Sequence, residues 1–168
     1  MKYRKDRIFT VVLFAVYALI LVWIVLLKTS TVSELKDLRC ERSLNFIPFH
    51  YETEVGTHFA EIVLNVLVFV PLGLYLSMFG VKAWQAIAIG FAVSLAFEAA
   101  QYALAIGAAD VTDLLTNTAG TAIGVGLYRL LCRMCRQTDR LNRALNIVLC
   151  VGTALFLGAA IFLLAANA

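Results

Sequence analysis

Charge is scarce in this chain. Only 15% of its 168 residues are Asp, Glu, Lys or Arg, while 62% are hydrophobic. Every long segment is apolar on most of its faces, not on the single stripe that an amphipathic helix lays against a soluble core, which excludes a soluble domain. Low-complexity tracts and fixed-period repeats are absent, so linkers and solenoids are excluded as well. The sequence has no Ser/His/Asp order, phosphate loop or dinucleotide fingerprint, and none of the familiar enzyme classes built on them is indicated.

What is present is a series of apolar stretches near the roughly 20 residues that a helix needs to cross a bilayer. Five stand out, at about 8–27, 57–79, 85–106, 112–131 and 144–166. The expected fold is therefore an all-α polytopic membrane protein of five transmembrane helices, a single domain over 1–168 with an interfacial outer loop. The fourth stretch starts polar and is rich in Gly, so it spans only if its first two turns pack against protein instead of lipid. The first stretch follows a basic start but reaches about 20 residues without a small-residue cleavage site, and it reads as a retained helix, not a signal peptide.

Basic residues report orientation in a membrane protein. With five spans, the N-terminal segment, the G-V-K-A-W turn and 129–143 share one side and hold 10 of the 14 Lys and Arg residues, leaving Lys28, Lys36, Arg39 and Arg42 on the other. The positive-inside rule then places the N-terminus in the cytoplasm and the C-terminus outside, in a cell membrane. The net charge of +3 indicates no nucleic-acid partner. Cys132 and Cys135 fall on the inner face with C-x-x-C spacing. Lacking a second pair or a His, they read as small residues in a loop and not as a metal or redox centre. Cys40 has no outer partner, so no disulfide is implied.

The outer loop, 28–56, ends in L-N-F-I-P-F-H-Y, whose rings suit the membrane interface. It is expected to form a short helix or re-entrant cap. The anomaly is A-F-E-A-A-Q-Y, residues 96–102, inside the third stretch. An ionisable group there costs about 2.5–3.5 kcal/mol on insertion scales, so it should have a partner or a task.

Helical geometry supplies company for it. Glu61 and Asn65 lie one turn apart at the outer end of the second stretch. Ser94, Glu98 and Gln101 form one stripe, with Glu98 about 20 Å and Gln101 about 24 Å up from Gln85. Asp110, Asp113, Asn117, Gly120 and Gly124 recur at spacings of 3 and 4 on one face of the fourth stretch, and the last two make a G-x-x-x-G. Three helices thus bring polar residues to one depth beneath the outer surface, under a roof expected from 45–51. Asp110 and Asp113 also suit the first turn of a helix, where the dipole favours acids. Asn65 and Asn117 also suit interhelical hydrogen bonding. His50 and His58 read as interfacial, and Pro71 as a bend in the second span.

These residues carry a resemblance. N-F-I-P-F, E-I-V-L-N-V-L-V-F-V-P-L-G, S-L-A-F-E-A-A-Q and D-V-T-D-L-L-T-N-T-A-G, in that order over about Leu44 to Gly124, resemble the VanZ family of bacterial membrane proteins, some of which are linked to teicoplanin resistance. The family pattern falls on Asn45, Pro48, Glu61, Asn65, Pro71, Gly73, Glu98, Gln101, Asp113, Asn117 and Gly120. Gly107 stands where many relatives have Arg.

The expected function is action on, or binding of, a membrane lipid or lipid-linked envelope precursor that lowers susceptibility to glycopeptides. In an enzyme, Glu98 is the candidate general acid or base, with Asp113 and Glu61 as further catalytic candidates. Asn45, Asn65, Gln101, Asp110 and Asn117 line the pocket. Asp110 and Asp113 are oxygen donors of the kind that suits a divalent cation such as Mg²⁺ or Ca²⁺ better than Zn²⁺. The alternatives are a non-enzymatic binding or structural module and an ion or proton transporter. The inner halves of the spans offer no ionisable residues to continue a transport path.

Overall fold

The computed structural model describes residues 2–27, 44–45, 47–48, 55–104, 109–135 and 137–166. They form five helices: α1 (Lys2–Leu27), α2 (Val55–Met78), α3 (Ala83–Leu104), α4 (Val111–Met134) and α5 (Thr138–Ala166). The shortest has 22 residues, enough to cross a hydrocarbon core. By length and composition α1, α2, α3 and α5 are apolar enough to span a membrane. The protein is an all-α polytopic membrane protein. α1 and α5 begin about six residues before their apolar runs, because Lys, Arg and Leu are good helix formers and continue the helix outside the oily segment.

The chain clusters into two compact units, 1–19 with 130–168, and 20–129. In the first, Asn146 of α5 donates to the Thr10 hydroxyl of α1 over 2.8 Å, and the Arg143 Nε lies 3.6 Å from an Asp6 carboxylate oxygen. Leu13, Tyr17, Leu141 and Leu145 are buried.

In the second unit α2 and α3 form a hairpin. α2 runs unbroken through Pro71 to Met78 and is closed by Gly80, whose φ of 82° is left-handed. The Gly80 amide donates to the Ser77 carbonyl and the Val81 amide to the Leu76 carbonyl, the paired bonds of a glycine C-cap. Phe69 and Phe97 then meet edge to face at 6.4 Å across the hairpin.

α4 is as long as α2 but more polar, and it stands outside the four helices that are apolar enough to span by composition. Its polar face is turned onto protein: Thr112, Thr116, Asn117, Gly120, Thr121 and Gly124 are all buried. The hydroxyls of buried Thr116 and Thr121, and of half-buried Thr118, donate to carbonyls one turn back, so none of these donors is left unsatisfied. Close approach to α2 depends on glycine. A Cβ at Gly120 would strike the Val66 carbonyl, one at Gly124 the Val70 carbonyl, and one at Gly73 the Thr121 carbonyl. The expected G-x-x-x-G contact is thus made with α2, and Gly73 answers it from the facing helix.

Two short strands complete this unit. β1 (Leu44–Asn45) pairs in parallel with β2 (Ala109–Asp110), Asn45 opposite Asp110. At these two residues the expected short helix gives way to a strand: Asn45 is extended because its backbone is tied to β2. Most of the remaining loop, including Cys40 and His50, lies outside the described residues, as do Gly107 and the side chain of His58.

Candidate functional site

The polar residues converge around the start of α4. Asp110 ends β2 and caps the helix. Its Oδ1 accepts the Thr112 amide at 2.7 Å, satisfying a donor that the first turn otherwise leaves open. Its Oδ2 accepts the Asn45 side-chain amide at 3.3 Å, so the strand register and the side chain hold the same residue. The Asp110 backbone amide in turn donates to Glu98 Oε2 at 2.9 Å. Glu98 is only 6% exposed. The anomalous acid of α3 is therefore anchored at the N-terminal end of α4, where helix dipole and open amides favour carboxyl groups.

Beside this chain, Asn65 of α2 donates to Asp113 Oδ1 at 2.6 Å. One turn further into α4, Asn117 donates to the Ser94 hydroxyl at 3.0 Å. Asn117 is 2% exposed, and its Oδ1 accepts no hydrogen bond among the described residues. A buried acceptor of this kind is open to a donor from water or a ligand. Asn45 Oδ1 accepts the Ile47 amide at 3.1 Å, an Asx turn that leads into Pro48.

The structure thus joins Asn45, Asp110 and Glu98 in one hydrogen-bonded chain, places the Asn65–Asp113 pair on the same end of α4, and sets Asn117 below them. Two expected members stand elsewhere. Gln101 is buried but donates to the Val25 carbonyl at 2.9 Å, one of the last-turn carbonyls that a helix end leaves without an intrahelical donor. Glu61 is exposed on α2, one turn before Asn65. Asp110 sits just ahead of α4 and not on its face, because it serves as the cap.

The residues that sequence reasoning did not single out are Thr112, Thr116 and Thr121, which fill the face between the named polar groups. The D-x-T spacing of Asp110 and Thr112, which fits a cap bond to the second amide of a helix, was the available signal for Thr112 alone. As for the expected cation, no group of three or more His, Cys, Asp or Glu among the described residues is placed to hold a metal ion. Both oxygens of Asp110 already accept protein donors. Cys132, Cys135 and Cys150 carry free thiols.

Residues 14–133 match the model of the VanZ/LLP1 family. Protein VanZ of Enterococcus faecium is 38% identical over 121 residues, which cover 70% of this chain and 72% of that protein. No solved structure matches the chain. The family match takes in both strands, α2, α3 and the whole polar cluster, and the chain belongs to the VanZ/LLP1 family.

Proposed function

We propose that the protein lies in the bacterial cell membrane with its N-terminus in the cytoplasm and its C-terminus outside. In this reading the cluster at the start of α4 engages a lipid or lipid-linked wall precursor at the outer leaflet and thereby lowers susceptibility to glycopeptides such as teicoplanin. The observation that carries the reading is the Asn45–Asp110–Glu98 chain, in which a buried carboxyl is aimed by a backbone amide at a helix start. An apolar protein gains nothing in stability by maintaining such a group, so its presence points to a task. Glu98 is then the acid or base, Asp113 at the same end of α4 is the second acid, Glu61 would join them only from its exposed place one turn before Asn65, and the asparagines orient the substrate.

The orientation follows from the distribution of basic residues, and cysteine labelling tests it. An impermeant thiol reagent applied to intact cells labels Cys40 and spares Cys132 and Cys135; labelling of the inner pair before permeabilisation overturns the orientation. The activity is tested by mass spectrometry of envelope lipids and wall precursors from cells with and without the protein. A new or missing species supports the enzymatic form of the reading. A second reading, a binding module without turnover, is favoured by the way Asp110 and Asp113 already accept protein donors. It predicts an unchanged lipid profile and co-purification of an intact precursor.

A further inference from the structure

Charge and apolar surface meet a second time at the other end of the charge distribution, at the start of α5. Cys135, Gln137, Arg140, Leu141 and Ala144 line an open groove of about 480 Å³, within the range of small-molecule sites. Its lining changes character along its length: Cys135, Gln137 and Arg140 are polar or cationic, whereas Leu141 and Ala144 are apolar. No charged residue follows Arg143 in the sequence. The groove therefore straddles the point at which α5 becomes wholly uncharged, the chemical boundary that a membrane surface also presents.

The local charge has one sign. Residues 129–143 contain five arginines and a single acid, Asp139. Arg143 is engaged, its Nε donating to the Asp139 carbonyl at 3.3 Å and lying 3.6 Å from Asp6. Arg140 is exposed on the groove wall and makes no ion pair among the described residues. A guanidinium beside an amide side chain and an apolar floor is complementary to an amphiphile with an anionic head, and the planar fork of Arg suits a phosphate in particular.

We infer that this groove is a headgroup site for an anionic phospholipid of the inner leaflet, with Arg140 on the phosphate, Gln137 beside the headgroup, and Leu141 and Ala144 against the first carbons of the acyl chains. The inference is independent of the outer cluster; its placement in the inner leaflet rests on the orientation proposed above, whereas the preference for an anionic lipid rests on the groove and its arginine alone. It makes Arg140 a local lipid contact in addition to part of an orientation signal.

Native mass spectrometry of the full chain, purified in non-ionic detergent and incubated with either phosphatidylglycerol or phosphatidylcholine, tests it. The protein should retain phosphatidylglycerol preferentially and lose it in high salt. Arg140→Gln should lower that retention about fivefold, the effect of one basic residue at an anionic membrane surface. Lys82→Gln, which removes an exposed cation from the turn between α2 and α3, should leave it unchanged. Equal retention of the two lipids by the unmodified protein overturns the inference, and that comparison stands even if a variant fails to accumulate. Equal losses in Arg140→Gln and Lys82→Gln also overturn it, because the attraction is then diffuse and not seated in the groove.

Discussion

Each compact unit buries an asparagine inside a long helix, and the surroundings of the two differ. Asn146 of α5 donates to Thr10, and the ion pair described in that unit, Asp6–Arg143, is part-exposed. Asn117 of α4 donates to Ser94 on a helix whose start also gathers Glu98, Asp110 and Asp113. Both asparagines are 2% exposed, and both leave Oδ1 without a hydrogen bond among the described residues. An amide–hydroxyl pair is enough to fasten two helices in lipid, where such bonds average about 0.6 kcal/mol. Carboxyl groups fasten no better and cost more to bury, so the difference between the units separates architecture from task.

The largest effect should come from the packing that holds the task-bearing unit together. A side chain at Gly120 would meet the Val66 carbonyl and Phe69, and backbone yields poorly. Gly120→Leu should cost about 3 kcal/mol or more by overpacking and sharply reduce the folded protein recovered by detergent size-exclusion. Gly126 has nothing within 4 Å of a built Cβ, so Gly126→Ala should be neutral or slightly stabilising. Ala119→Leu, at an exposed position, should also be mild. If Gly120→Leu accumulates like Ala119→Leu, α4 does not depend on close approach to α2.

Next in size is the loss of function at Glu98. Gln has nearly the same shape, and its carbonyl oxygen can accept the Asp110 amide just as Glu98 Oε2 does at 2.9 Å. What it cannot do is ionise or pass on a proton. Glu98→Gln should therefore accumulate normally yet lower any lipid or susceptibility phenotype about a hundredfold or more, the scale of general acid–base catalysis. A variant with full activity and normal expression would reduce Glu98 to the kind of polar fastening that Asn146 provides.

How far the sequence reveals this contrast depends on what carries the signal. The helices are legible because an uninterrupted apolar run has few other uses, although their ends are not: Lys2–Arg7 and Thr138–Arg143 are helical without being apolar. The inward face of α4 is legible in the 3 and 4 spacing of Asp113, Asn117, Gly120 and Gly124, because side chains announce a face by periodicity. Three features are not. Gln101 bonds the Val25 carbonyl, and a backbone acceptor leaves no trace in residue type. The pairing of Asn45 with Asp110 joins two-residue strands far apart in the chain, too short to have a pattern. Whether Asp110 heads the helix or lies on its face is decided by that pairing, which fixes the backbone direction entering α4.

The smallest expected effect tests the comparison most directly, because it matches the two asparagines. Asn146→Leu removes the bond to Thr10, but the Thr10 hydroxyl keeps the Asp6 carbonyl as its acceptor at 3.0 Å, so no donor is stranded. The substitution also removes a buried Oδ1 that accepts no hydrogen bond among the described residues. Gain and loss nearly offset, and the net cost should be about 0.6 kcal/mol or less, read as a small shift in thermal unfolding in detergent, with phenotype retained. Asn117→Leu should cost a comparable amount of stability, since it too gives up one side-chain bond, while the phenotype falls with it. If Asn146→Leu abolishes the phenotype as completely as Asn117→Leu does, the unit formed by α1 and α5 shares the task, and the assignment of function to the carboxyl-bearing unit alone is wrong.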